Sequence, residues 1–100
     1  MEGFDIMDHI GNEDLTNQEF AEYLKNMRTA AGLNQRQIAR MMGVPLGTLQ
    51  NYEAGVYKPR RDRLGPFIQK LRQVVRQEIQ KKRRRAKYEN LLSLRNGTNG

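Results

Sequence analysis

One hundred residues, 37% of them apolar and 29% charged, suit a single compact domain with polar extensions rather than two domains. The absence of cysteine excludes disulfides and thiolate metal sites, and no apolar run approaches the ~18 residues of a membrane span. A formal net charge of +7 points to a polyanionic partner. The charge is unevenly laid out. Residues 1–24 carry seven of the 11 acids and no Lys or Arg, whereas all 18 Lys and Arg fall in residues 25–100. The acidic start lacks the basic-then-apolar layout of a secretory leader, so a soluble cytoplasmic protein is the expectation. Long aliphatic and charged residues outnumber β-branched ones, which favours an all-α fold.

Residues 1–15, MEGFDIMDHIGNEDL, show no sustained periodicity and read as an acidic, mobile arm. Thr16 or Asn17 then makes an N-cap, with Glu19 three residues after Thr16 as in a capping box. Phe20, Leu24, Met27 and Ala31 follow on one helical face, and Gly32 ends the helix. Asn34 caps a second helix that turns Ile38, Ala39 and Met42 inward and stops at Gly43. Only Val44 and Pro45 separate it from a third, about 46–54, in which Leu49 and Tyr52 are the expected buried residues and Gly55 the stop. VYKPRRDR is a basic loop with room for one helical turn. Gly65-Pro66 marks a helix start, since proline suits the first helical position. Phe67, Ile68, Leu71, Val74, Val75 and Ile79 then form a broad apolar stripe, followed by the basic run KKRRRAK at 81–87. The division expected is an arm (1–15), a domain (16–80) and a basic C-terminal extension (81–100).

Two short helices with glycine at their junction are the helix-turn-helix pattern, which needs a small residue at the crossing and a positive φ at the turn. Ala39 and Gly43 have that spacing, and Ile38, Val44 and Leu49 supply the apolar contacts. The stretch LNQRQIARMMGVPLGTLQNYEAGVYKP, with Gln35, Ile38-Ala39, Gly43-Val44 and Glu53-Ala54-Gly55 in order, resembles the Cro/Xre-type helix-turn-helix family of phage repressors. TLQNYEAG is most similar to antitoxin-like members. The resemblance, over roughly residues 20–75, implies a four- to five-helix, lambda-repressor-like domain with a basic C-terminal helical extension.

It also implies roles. Gln35 matches the family residue that bonds a DNA phosphate at a helix N-terminus. Leu46, Gly47, Gln50 and Asn51 match the positions facing base edges in the major groove, where a carboxamide pairs with adenine. Lys58, Arg60, Arg61 and Arg63 match the post-motif loop that reaches phosphate. Arg28 and Glu53 match a partly buried ion pair that sets orientation more than stability. Two departures stand out. Pro45 replaces the usual Ser or Thr cap, a loss of ~1 kcal/mol, and Gly47 weakens the helix by ~1 kcal/mol relative to Ala while admitting close backbone approach.

The implied function is sequence-specific binding of double-stranded DNA and transcriptional regulation, as a repressor or autorepressor of antitoxin type. A homodimer pairing through the second half of the stripe implies a palindromic operator with half-sites ~34 Å apart. A toxin or the transcription machinery is a possible protein partner, and a bridging module on the same fold is the alternative function. RNA binding is the weaker option, because a reading helix fits poorly into the narrow A-form major groove. The acidic arm has the charge to fold over the 81–87 run and weaken DNA binding. No enzyme, cofactor or metal site is expected: His9 is the only histidine, and Asp5, Asp8 and His9 lack ligand-like spacing.

Overall fold

The computed structural model describes residues 15–99, with side chains described through residue 92. The expectations placed on the arm, including those for Asp5, Asp8 and His9, lie outside the described residues, save for Leu15. Four helices make up the described fold: α1 (Asn17–Ala30), α2 (Gln35–Met42), α3 (Leu46–Glu53) and α4 (Arg61–Asn99). The architecture is all-α, as expected.

Local chemistry sets the helix ends. The Thr16 hydroxyl accepts from the Glu19 backbone N–H at 3.0 Å, and the Glu19 carboxylate accepts from the Thr16 N–H at 2.9 Å. Asn34 and Gln37 repeat the same reciprocal box at α2, at 2.8 and 2.9 Å. Leu15 precedes the Thr16 cap and is buried in the same cluster as Phe20, the fourth residue of α1. These are the positions of a hydrophobic staple, and they bring one residue of the expected arm into the core. Pro45 begins α3 without any side-chain cap.

The turn between α2 and α3 depends on Gly43, whose φ of +71° lies in the left-handed region. There the Val44 N–H reaches back to the Ala39 carbonyl at 3.0 Å, closing α2 and redirecting the chain within two residues.

The core forms where all four helices converge. Phe20, Leu24, Ile38, Leu49, Leu64 and Leu71 are fully buried, each stabilising by ~1.5–3 kcal/mol. Along one edge lies an aromatic cluster: Phe20, Tyr52 and Phe67 meet edge-to-face with centroids 5.5–5.6 Å apart, and Tyr57 joins Tyr52 at 5.7 Å.

α4 begins at Arg61, not at Gly65-Pro66, and Arg60 is its first backbone acceptor, bonded by Arg63 and Leu64. Pro66 therefore sits inside the helix and leaves the Asp62 carbonyl without an intrahelical donor. Both residues are exposed, so water can satisfy that carbonyl, while the added turn carries Leu64 into the core. The apolar stripe is largely consumed within the chain: Ile68, Leu71 and Val75 are buried, and Phe67, Val74 and Ile79 pack against the cluster. Beyond it α4 continues unbroken as the basic extension, exposed from residue 80 to residue 92. Two lysines of α4 cap other helices. Lys82 donates to the Ala31 carbonyl and, at 3.3 Å, to that of Gly32, while Lys70 donates to the Met42 carbonyl at 3.4 Å.

Two glycine substitutions separate backbone conformation from space. Gly43→Ala meets only the flexible Lys70 ammonium at 3.8 Å, so its cost is conformational, ~1–2 kcal/mol. Gly47 has helical backbone and nothing within 4 Å of an added Cβ, so Gly47→Ala raises stability by ~1 kcal/mol. Urea unfolding should move the two midpoints in opposite directions; a common direction would refute this account of the turn.

Candidate nucleic-acid interface

α3 divides cleanly between inside and outside. Leu49 and Glu53 are buried, whereas Gly47 and Gln50, three residues apart, are exposed and share one face. Leu46 is half-buried and packs against the core cluster, so its side chain serves the domain's packing and offers little outward surface. Thr48 and Asn51 are half-buried at the flanks of the exposed face.

Behind that face lies a polar network joining three helices. Glu53, on the last turn of α3, has its side chain 2% exposed and receives Arg28 of α1 as a two-point pair, Nε to Oε2 at 2.7 Å and Nη2 to Oε1 at 3.0 Å. The remaining Arg28 amino group donates to the Leu33 carbonyl at 2.9 Å, in the turn between α1 and α2. Gln35, the first residue of α2, donates its amide to Glu53 Oε1 at 3.1 Å. Gln50 then donates to Gln35 Oε1 at 3.5 Å, the long end of a hydrogen bond. The two-point guanidinium–carboxylate geometry is the strong, directional form of an ion pair.

The network leaves the outward groups chemically competent. Gln35 keeps its second amide N–H, at the N-terminus of α2, where backbone donors and the helix dipole favour an anion. Asn51 donates one N–H to the Tyr57 hydroxyl at 3.1 Å. Gln50 and Asn51 each retain an N–H and a carbonyl oxygen, the pair of groups that an adenine edge takes. Burial pushes the Tyr52 hydroxyl above its ordinary pKa, nearby Tyr57 adds to the shift and Arg63 opposes it, so Tyr52 is a neutral member of the aromatic edge.

The cations divide between loop and helix. Lys58 and Arg60 belong to the loop after α3, whereas Arg61 and Arg63 stand in the first turn of α4. Arg60, Arg61 and Arg63 are exposed and Lys58 is half-buried. Among the described residues, none of the four is paired with a carboxylate.

The structure thus brings together Arg28, Glu53, Gln35 and Gln50 in one network and sets Asn51 beside it, while Leu46 turns inward. Sequence reasoning missed Tyr57, which is 42% exposed and orients Asn51. Its signal is an aromatic in an otherwise basic loop just after α3. It also missed Asn17, whose amide holds the Val56 carbonyl at 3.3 Å and ties that loop to α1. Among the described residues no group of His, Asp or Glu could hold a metal ion, and no helix is long and apolar enough to cross a membrane.

Residues 24–72, which contain all of α2 and α3, match the helix-turn-helix family. Comparison of the chain with curated proteins, and with solved structures, gives no match.

Removing the carboxylate at the centre of this network tests its weight. Glu53→Ala strands a largely buried guanidinium and is expected to lower stability by ~3 kcal/mol, with a smaller loss for Glu53→Gln. Thermal unfolding of both variants checks this, and a Glu53→Ala melting temperature equal to the parent's would remove the network from the fold's support.

Proposed function

With residues 24–72 belonging to the helix-turn-helix family of the Cro/Xre type, a family of DNA-binding transcription regulators, we propose that α3 enters the major groove of double-stranded DNA and reads sequence there. The observation that carries this reading is the exposed face of α3, on which Gly47 has open space in front of it, Gln50 is exposed and the helix's only acid is turned inward and neutralised. Gln50 and Asn51 read base edges, and Gly47 lets the backbone approach the groove floor. Gln35, Lys58, Arg60, Arg61 and Arg63 hold phosphates on either side, fixing register without reading sequence. Leu46 is the weakest of the assigned readers, because its side chain packs on the core. In the proposed division, residues 16–80 form the DNA-binding domain, with the acidic arm before it and the basic extension after it.

The proposed regulator is a repressor, an autorepressor of antitoxin type, that occupies its operator as a homodimer. The stripe expected to pair with a second copy is mostly used inside the chain, so the pairing surface moves outward along α4. There Tyr88, Leu91 and Leu92 are exposed at positions that share one helical face. Two copies joined there would place two α3 helices on a palindromic site, with half-sites ~34 Å apart or a multiple of that spacing. Sedimentation should give a dimer for the parent and a monomer for Leu91→Glu/Leu92→Glu; a parent that stays monomeric throughout would refute this pairing.

Selection of bound duplexes from a randomised pool, at near-physiological salt, tests the reading itself. The parent should yield a palindromic consensus that Gln50→Ala/Asn51→Ala loses, each carboxamide contributing ~1–3 kcal/mol of discrimination. Gly47→Ala, though more stable, should bind more weakly. Arg60→Ala/Arg61→Ala should weaken all duplexes alike and reduce the salt dependence by about one phosphate contact per residue. Binding without a consensus, surviving the carboxamide substitutions and vanishing with added salt, would leave only phosphate attraction and turn the search to a bridged protein partner.

A further inference from the structure

A groove of about 320 Å³ runs between α1 and α4, outside the surface assigned to DNA. Tyr23, Met27, Val75 and Ile79 form its floor, and Arg76 and Arg83 stand on its rim. Val75 is buried, the other floor residues are half-buried, and both arginines are exposed. A carbon floor beneath a cationic rim accepts a segment that is apolar and anionic together. A phosphate backbone has the charge but nothing to place on the floor. A second copy of α4 would bring more cations, offset only by Asp62, Glu78 and Glu89.

Residues 1–14 have the required composition. They carry Glu2, Asp5, Asp8, Glu13 and Asp14 with no Lys or Arg, interspersed with Phe4, Ile6, Met7 and Ile10. They are also tethered nearby. They join the fold at Leu15, beside the Thr16 cap of α1, and Tyr23 and Met27 lie further along that same helix. At ~1.5 Å per residue these floor residues are roughly 12–18 Å from the attachment point, and fourteen residues can span up to ~46 Å.

We propose that residues 1–14 dock within their own chain into the α1–α4 groove, with apolar side chains on Met27, Val75 and Ile79 and carboxylates on Arg76 and Arg83. Docking covers the apolar floor and neutralises Arg76 and, within the 81–87 run, Arg83, which shifts the DNA-attracting charge of the molecule toward α3 and the loop after it.

Because the chain has no cysteine, Asn12→Cys gives a full-length protein with one nitroxide label. Methyl signals of Met27, Val75 and Ile79 should lose several-fold more intensity than that of Leu46 in α3. Full-length Arg76→Glu/Arg83→Glu, altered only at exposed positions, should lose most of this effect. So should the labelled parent at ~1 M salt, where the screening length falls to ~3 Å. Weak, even broadening across the chain, or local broadening unchanged by the charge reversal, overturns the docking. Equal broadening in a mixture of labelled isotope-free chains and unlabelled isotope-enriched chains assigns the groove to another copy's segment and overturns the intramolecular proposal.

Discussion

The buried carboxylate of Glu53 is the constraint on which the rest of the arrangement depends. Taken out of water, it must be neutralised and its oxygens bonded, and the three groups that do so come from α1 and α2. The angle between α2 and α3, the position of the α1–α2 turn and the orientation of Gln35 are thereby set by one group. Its net contribution to stability is small, because the desolvation of two charges offsets much of their attraction. What the pair supplies is direction. An apolar pair of equal volume could fill the same space, but it would take away the carboxylate that holds the Gln35 amide, and with it the fixed neighbour of Gln50.

α4 performs a complementary role from the opposite side of the core. Leu64, Ile68, Leu71 and Val75 recur at intervals of four, three and four residues, so one face of one helix meets α1 and α2 over three turns. Lys70 and Lys82 place cations at the C-terminal ends of α2 and α1, where unpaired carbonyls and the helix dipole favour positive charge. The long helix therefore registers both shorter ones lengthwise while the apolar face registers them sideways. This explains why the basic extension follows the domain without a break: Lys82, the second residue of the 81–87 run, is already anchored in the fold.

The elements legible in the sequence are those with local causes. The Thr16–Glu19 capping box and the Asn34 cap need only residues three apart, and the turn at Gly43 needs only a glycine between an Ala-containing helix and a valine. Each was readable because the whole interaction lies within a few residues. The start of α4 was not, because Pro66 is a strong local signal and the opposing one, burial of Leu64 in the shared core, is tertiary. Leu15 differs: its staple partner Phe20 is only five residues on, and the signal is masked by the acidic, aperiodic run that Leu15 ends. The site shows the same divide. The pairing of Arg28 with Glu53 was suggested by resemblance alone, since no spacing links positions 25 apart. The inward turn of Leu46 and the Tyr57–Asn51 bond depend on packing that no linear pattern records.

The inward turn of Leu46 sharpens the question of how such a surface discriminates among sequences. Two carboxamides at ~1–3 kcal/mol each give one copy ~2–6 kcal/mol of direct readout. Specific regulators bind their sites ~4–10 kcal/mol more tightly than random DNA. One copy thus reaches only the lower part of that range, and two copies on a palindrome, with the same contacts doubled, span it. Two copies therefore fit the proposed readout more fully than one, a ground for the proposed pairing separate from the apolar face on α4. Gly47 fits the same logic. A helix with few reading side chains gains most from lying close to the bases, and a residue without a side chain at the exposed face of α3 permits that approach. The helix stability it forgoes is small beside the ~1–3 kcal/mol that a well-placed carboxamide adds at each base pair.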